Sequence, residues 1–181
     1  MQRVLVIGNS GAGKSTAAVR LGAAVSLPVH HLDQLFWQPG WRQSPRDQFD
    51  DRLAQVLAGD AWVIDGNFSR TLPQRLEAAD TVVWLDFSTV TCMRGVLTRW
   101  VRFRGRQRPD MGANCPEKVD WPFLWYVCRW RARHAQPLAQ RLAADRSCGV
   151  DVHRFRRRTE VETWLRQLSA ADGADGARYG A

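Results

Sequence analysis

Near the amino terminus, one stretch combines the side chains and the backbone freedom that a phosphate-binding loop needs. It follows an apolar run and matches the pattern G-x-x-x-x-G-K-[ST] of a P-loop. Glycines accept positive φ, so such a loop can turn its N–H groups inward toward an anion. The lysine then reaches the β- and γ-phosphates of ATP, and the serine hydroxyl is a ligand for Mg²⁺. The predicted ATP-binding residues are Gly8, Asn9, Ser10, Gly11, Ala12, Gly13, Lys14, Ser15 and Thr16.

The use of lysine supports this interpretation. The chain has 26 lysine and arginine residues, and only Lys14 and Lys118 are lysine. A compact ammonium therefore stands where a P-loop needs a point charge, in a chain that otherwise uses arginine. The alternative is an ordinary glycine-rich turn before a helix.

Apolar runs alternate with helical patterns along the chain. Strands are predicted at 4–7, 28–32, 62–64, 81–85 and 150–155, and helices at about 14–25, 44–58, 73–78, 88–101, 117–142 and 159–168. This alternation predicts an α/β fold with three α/β/α layers and a parallel sheet. Ligands bind such sheets outside the carboxyl ends of the strands. Because the P-loop, Asp33, Asp65 and Asp86 all follow predicted strands, we expect one site.

Three acidic residues are candidates for the chemistry beside the phosphates. Asp65 is the preferred acid for ordering Mg²⁺ together with Ser15, because Gly66 behind it would allow a ligand to approach closely. Asp86 is the other candidate, with helix entry as its alternative role. Asp33 is predicted to orient or deprotonate an acceptor hydroxyl, and its alternative is a helix cap.

An arginine-rich segment is predicted to be a mobile loop at about 102–115. Arginines on a closing lid neutralise the charge of a moving phosphoryl group and exclude water. A solvated basic surface is the plain alternative. Contact with nucleic acid is a third alternative, since Trp100 and Phe103 are interleaved with the charges. It is not the favoured one. The arginines concerned are Arg99, Arg102, Arg104, Arg106 and Arg108.

Composition sets broader limits. The chain has 181 residues, a net charge of +8 and a pI near 10.3, which favour one domain with anionic partners. Arginine-rich surface is the alternative explanation of the charge. No apolar run reaches about 18 residues, so no membrane span is predicted and a cytoplasmic protein is expected. Four cysteines are widely spaced without a C-x-x-C pair, which argues against a metal cluster. Residues 169–181 are small and polar, and we predict that they are disordered.

Three later motifs, taken with the P-loop, resemble one family. They are HLDxLFWxPGW at 31–41, IDGNFSRT at 64–71 and RGRxRPDM at 104–111. Together they are similar to the FlaR-like or DNA topology modulation proteins of the adenylate kinase-like superfamily, over residues 1–168. The resemblance implies an ATP-binding single domain with a nucleoside/nucleotide kinase-like fold, a five-stranded sheet of order 2-3-1-4-5, and a helical lid at about 100–116.

The resemblance also implies an acceptor side at about 34–59. Arg70, after Asp65-Gly66, is similar to the adenylate kinase arginine that grips the acceptor's phosphate. This chain has one more residue there and lacks the proline, and its acceptor region carries Trp37 and Trp41. These departures argue against AMP as the acceptor. We therefore predict that Asp33, Trp37, Trp41 and Arg70 bind an acceptor of another kind.

These observations predict an ATP- and Mg²⁺-dependent kinase acting on a nucleotide or small molecule. Lys14, Asp33, Arg99, Arg104 and Arg106 are its predicted catalytic residues. The alternative is a non-catalytic, ATP-binding regulator of DNA topology that contacts nucleic acid through the arginine-rich segment. An NTPase that uses water ranks last, because the fourth strand does not end in an Asp-Glu pair.

Overall fold

The structure, a computed structural model, describes residues 1–106, 108–147 and 149–176. Its strands are β1 (Arg3–Gly8), β2 (Val29–His31), β3 (Trp37–Gln38), β4 (Arg42–Gln43), β5 (Trp62–Asp65), β6 (Thr81–Leu85) and β7 (Asp151–Phe155). Its helices are α1 (Lys14–Ala24), α2 (Leu32–Phe36), α3 (Arg46–Leu57), α4 (Leu72–Ala78), α5 (Thr89–Phe103), α6 (Trp121–Ser147) and α7 (Arg158–Gly176), with a 3₁₀ turn at Ser69–Thr71.

Within the described residues, five parallel strands form the main sheet in the order β2-β5-β1-β6-β7. Numbered along the chain among themselves, these strands have the order 2-3-1-4-5, so the predicted fold class is confirmed. The register pairs Asp65 with both Val6 and His31. Because parallel strands end at the same edge of a sheet, the carboxyl ends of β1, β2 and β5 lie side by side.

The core is divided between the two faces of the sheet. In β1, Val4 and Val6 pack in a cluster with residues of α1 and α7, whereas Leu5 and Ile7 pack with residues of α3, α4 and α6. All four side chains are buried, and each contributes about 1.5–3 kcal/mol by leaving water. Both faces are covered, which explains why the strands are continuously apolar.

The region after β2, for which no helix or strand is predicted between 33 and 43, contains both. Helix α2 begins at Leu32, directly after β2, and β3 and β4 form a small antiparallel pair that turns at Gly40 and Trp41. Phe36 packs against Phe49 and Phe68, with ring centroids 5.6 and 4.9 Å away. These contacts come from distant parts of the chain, so local sequence did not reveal the helix.

The predicted mobile loop at 102–115 is packed and begins later than expected. Helix α5 continues to Phe103, and Arg104 then forms a bridge with Glu117. Arg108 and Cys115 are buried. Helix α6 begins at Trp121 rather than at 117 and passes through Pro137 without a break.

The carboxyl-terminal prediction also needs correction. Helix α7 was expected to end near 168 and to be followed by a disordered tail, but it extends to Gly176. The disorder predicted for 169–181 stays a prediction, and its last part, 177–181, lies outside the described residues. No helix in the described ranges is long and apolar enough to cross a membrane.

Candidate active site

The P-loop folds as its glycines predict. Gly11 and Gly13 have φ of 80° and 91°, and α1 begins immediately afterwards at Lys14. A Cβ on Gly11 would lie 2.1 Å from the carbonyl oxygen of Cys92, so α5 packs directly on the loop. No described atom lies within 4 Å of a Cβ built on Gly13, so that glycine is required for its φ alone.

The side chain of Asn9 stabilises the P-loop through two hydrogen bonds. Its side chain is buried, its Nδ2 donates to the carbonyl of Val127 in α6 at 2.9 Å, and its Oδ1 accepts from Ser10 N at 2.8 Å. Ala12 is buried in the core. The side chains of Asn9 and Ala12 are thus structural, and the prediction that these residues bind ATP concerns their main-chain N–H groups.

A cavity of about 900 Å³ opens beside the loop. Six predicted loop residues line it, namely Ser10, Gly11, Gly13, Lys14, Ser15 and Thr16, whereas Gly8 does not. The volume is ample for a nucleotide and a second small molecule.

Lys14 is half-buried at the floor of this cavity, and its Nζ donates to the carbonyl of Asn9 at 3.2 Å. Burial lowers the pKa of Lys14, and this outweighs the nearby charges of Asp65 and Asp33, which raise it. Further negative charge nearby stabilises the charged form of an ammonium that has lost contact with water. The site is therefore prepared for an anion beside Lys14.

Asp65, the last residue of β5, joins the P-loop helix to β2. Its Oδ2 accepts a hydrogen bond from Ser15 Oγ at 2.8 Å, and its Oδ1 contacts His31 Nδ1. Burial alone would lower the pKa of His31, but the hydrogen bond and charge of Asp65, helped by Asp110 and Asp33, raise it. His31 lines the cavity and was not among the predicted site residues.

The oxygen atoms here suit Mg²⁺. Ser15 supplies a hydroxyl, and Asp65 and Asp110 each place a carboxylate against it. Hard oxygen donors are the ligands that Mg²⁺ prefers, usually completed by water and phosphate oxygens. Among the described residues, no group of three or more His, Cys, Asp or Glu side chains is arranged to hold a metal by itself. The residues present thus fit an ion that arrives with a polyphosphate.

Asp33 and Asp110 face the same cavity. Burial raises the pKa of Asp33, Lys14 and Arg108 oppose this, and Asp65 and Asp110 add to it. A carboxylate with a raised pKa is a better proton acceptor. The sequence predicts no role for Asp110 beyond its place in the RGRxRPDM motif. Its acidic side chain within an arginine-rich segment was the available signal.

The cavity is strongly cationic. Among the described residues, its acids are Asp33, Asp65 and Asp110, and Lys14 is joined by six arginines. Arg108 is buried and Arg99 is half-buried, and charges there interact more strongly with a ligand than charges at an exposed surface, where Arg94, Arg102 and Arg158 lie. The cavity therefore favours a multiply charged anion. The arginines are Arg20, Arg94, Arg99, Arg102, Arg108 and Arg158.

The predicted lid arginines separate into two groups. Arg99 lines the cavity, together with Arg102 and Arg108. Arg104 and Arg106 are exposed and are not among the lining residues. The guanidinium of Arg104 lies 5.3 Å from the ring centroid of Trp100. In this structure both side chains lie away from the cavity, and their predicted catalytic role stays a prediction.

The predicted acceptor group is not brought together. Asp33 lines the cavity, but Trp37, Trp41 and Arg70 do not. Arg70 forms a bidentate pair with Asp50 at the surface, at 2.5 and 2.9 Å. The indole of Trp41 lies 5.3 Å from that of Trp37, and its Nε1 donates to the carbonyl of residue 116 at 3.2 Å. These two tryptophans instead pack β3 and β4 against the segment before α6.

The structure also shows the surroundings of Asp86 and Gly66, which follow the ends of β6 and β5. Asp86 is buried between Arg131 and Arg154, at 3.2 and 2.6 Å, so its carboxylate is already paired with two guanidinium groups. A Cβ on Gly66 would lie 2.8 Å from Leu32 Cβ. Gly66 is therefore needed for the packing of α2, not for the approach of a ligand.

Arg75, which sequence reasoning missed, supports the start of the P-loop. It is fully buried in α4 and donates to the carbonyl oxygens of Gly66, Asn67 and Phe68 at 3.1, 2.5 and 3.0 Å. Burial lowers the pKa of Arg75 to about 10. The Asn67 side chain in turn accepts from Gly8 N at 3.2 Å.

Comparison with known proteins agrees on the fold. Neither a protein-family model nor a curated protein matches the sequence. Among solved structures, the chain is similar to the shikimate kinase of Bacteroides thetaiotaomicron, with a TM-score of 0.57, 18% identity, and coverage of 94% of this chain and 97% of that chain. The fold and the loop define a P-loop protein with a kinase-like α/β fold. The resemblance to the FlaR-like proteins stays a prediction.

Proposed function

We propose that this protein is an ATP-dependent phosphotransferase that moves the γ-phosphoryl group of ATP to a nucleotide or small-molecule acceptor. One observation carries the proposal: Lys14, Asp33 and Arg99 line a single cavity with the Ser15–Asp65 pair. Phosphoryl transfer requires a group that binds the phosphates, a group that takes the acceptor's proton, and a group that stabilises the charge on the transferred phosphoryl group. The likeness to a shikimate kinase supports the same class of reaction.

In the proposed reaction, the acceptor hydroxyl attacks the γ-phosphorus while Asp33 takes its proton. The bond between the γ-phosphorus and the β–γ bridging oxygen breaks, and ADP leaves. Lys14 and Arg99 stabilise the negative charge that spreads over the transferred group. Ser15 and Asp65 would hold Mg²⁺, which when bound neutralises charge on the β- and γ-phosphate oxygens.

The test is a screen with γ-labelled ATP and Mg²⁺ against nucleosides, nucleotides and small alcohols. Transfer to one of them is expected, and Asp33→Asn should abolish most of it while ATP binding persists. Tight ATP binding without transfer to any acceptor would count heavily against the proposal. Hydrolysis of ATP at the same rate with and without acceptors would instead identify an NTPase.

The exposed arginines favour a second candidate function. Arg104 and Arg106 lie outside the cavity, and Arg104 is stacked on Trp100. Cation and aromatic surface side by side suits single-stranded nucleic acid. The alternative is thus a non-catalytic, ATP-binding regulator of DNA topology, as the FlaR-like resemblance implies. DNA binding that falls with salt, and falls further in Arg104→Ala and Arg106→Ala, would support it.

A further inference from the structure

Glu117 lies between two arginines of the cavity wall. Its side chain is only 2% exposed, its Oε1 accepts from Arg99 Nε at 2.9 Å, and its Oε2 lies 2.7 Å from Arg108 Nε. Arg99 belongs to α5, whereas Arg108 follows it in the packed segment before α6. One buried carboxylate therefore holds guanidinium groups from two separate parts of the chain.

The backbone around Glu117 is also fixed. Its N–H donates to the carbonyl of Arg106 at 3.1 Å, and it forms a parallel bridge with Arg104. The carboxylate is thus tied to the segment that carries Arg108, and it cannot easily follow an arginine that turns away. A charge held in this way can define where its partners point.

Both arginines line the cavity, but their terminal nitrogens differ. Glu117 contacts each arginine at Nε, through a hydrogen bond from Arg99 and an ion pair with Arg108. The terminal nitrogens of Arg108 donate to Asp110 at 3.2 Å and to Met111 Sδ at 3.7 Å. Two terminal nitrogens in one plane are the arrangement that binds phosphate in a bidentate manner, so Arg99, held at Nε, is the arginine suited to that contact, and Arg108 adds its charge.

The charges argue that this arrangement depends on Glu117. Burial and the like charge of Arg108 both lower the pKa of Arg99, so the Arg99 charge is costly in this position. Glu117 contacts both arginines, whereas Asp110 pairs with Arg108 alone. Without the carboxylate, the guanidinium groups would repel each other where little water screens them.

We propose that Glu117 is a positioning residue that holds Arg99 and Arg108 toward the γ-phosphate, and so makes the site prefer a nucleoside triphosphate to a diphosphate. The inference rests on the proposed function, since it requires ATP on the P-loop. Positioning of the two arginines differs from simple neutralisation of their charge by Glu117. If Glu117 merely occupied the arginines, its removal would release them and strengthen ATP binding.

The experiment measures ATP and ADP binding by calorimetry, with Mg²⁺, for the wild type and Glu117→Gln. We expect ATP affinity to fall about tenfold and ADP affinity to change less than about twofold, because only the γ-phosphate loses its charge-assisted partners. Glu77→Gln, which removes the same charge from an exposed position of α4, is the matched control and should leave both affinities unchanged.

Tighter ATP binding in Glu117→Gln, or an equal loss for ATP and ADP, would overturn the inference alone. A wild type that binds no ATP would overturn both this inference and the proposed function. If Glu117→Gln does not fold, Arg99→Lys gives the second test, because it keeps the charge but loses the Nε contact and should lower the ATP-to-ADP preference in the same way. A spectroscopic readout is independent of ligand: the Nε–H signals of Arg99 and Arg108 should be protected from exchange only while Glu117 is present.

Discussion

Ser15, in the first turn of α1, donates a hydrogen bond to Asp65 at the end of β5, with Oγ and Oδ2 2.8 Å apart. This contact links the P-loop helix to the neighbouring strand and places a hydroxyl beside a carboxylate. In the proposed function the two oxygens meet Mg²⁺. Because the contact holds the hydroxyl beside the carboxylate, little rearrangement is needed for both to meet an ion.

Asp65→Asn should therefore weaken Mg²⁺-dependent binding of ATP by about 10–100-fold, because an amide replaces the carboxylate oxygen. Binding of ATP without Mg²⁺ should change little. Calorimetry with and without the ion measures both. Asp60→Asn, at an exposed turn, is the control. Equal losses in the presence and absence of Mg²⁺ would show that Asp65 supports the fold rather than the ion.

Lys14→Met should lower ATP affinity by at least about tenfold, since the ammonium contributes a charge-assisted contact to the phosphates. The chain offers an unusually close control, because Lys118 is its other lysine and lies over the ring of Trp41, at 5.0 Å, outside the cavity. Lys118→Met should bind ATP as the wild type does. Unchanged heat of binding in Lys14→Met would remove the basis of the proposed function.

Much of this site could be predicted from sequence because its parts are local. The P-loop has a fixed spacing, and Asp33 and Asp65 follow short apolar runs that become strands. The order of the sheet followed from a resemblance rather than from the residues, since alternation of strands and helices defines a parallel sheet but not which strands are neighbours.

The remaining parts depend on contacts between distant residues. Arg70 looked like a ligand for an anion, yet Asp50 from α3 already holds it. Arg104 and Arg106 looked equivalent to Arg99, but they flank a turn at Gly105, with φ of 68°, and both are exposed outside the cavity lining. Charge alone does not reveal such pairings, because every arginine has the same local signal.

Because Arg99 lines the cavity and Arg104 and Arg106 do not, substitutions of these arginines should affect phosphoryl transfer differently. Arg99→Ala should reduce phosphoryl transfer by about 10²–10³-fold once an acceptor is known, as expected for loss of a group that stabilises transferred charge. The double change Arg104→Ala and Arg106→Ala should leave transfer within about twofold, because both residues lie outside the cavity. Steady-state rates at saturating ATP measure this. A comparable loss in both variants would mean that the segment closes further when substrates bind.

The His31–Asp65 contact predicts a dependence of stability on pH. The pKa of His31 is raised above its ordinary value of 6.5 in the folded protein, so the folded state holds a proton that the unfolded state releases. The stabilisation is therefore fully present below pH 6.5 and is lost as pH rises through the higher folded-state value. His30, whose pKa burial lowers, gives the opposite slope. The free energy of unfolding is measured with denaturant at each pH for the wild type and for His31→Asn. The difference between the two isolates the contribution of His31. It should shrink as pH rises from 6.5, and a constant difference would contradict the prediction.

Arg75 predicts a cost in stability that does not involve the ligand. Its guanidinium is fully buried and donates to three carbonyls in the 66–68 loop. Arg75→Met keeps most of the volume but leaves those buried acceptors without their donor, which should lower the free energy of unfolding by about 3 kcal/mol. Urea unfolding measures it, with Arg46→Met at an exposed position of α3 as control. Because the Asn67 side chain accepts from Gly8 N, ATP affinity should fall as well. A loss below about 1 kcal/mol would mean that water replaces the guanidinium at these carbonyls, and that the loop keeps its shape without it.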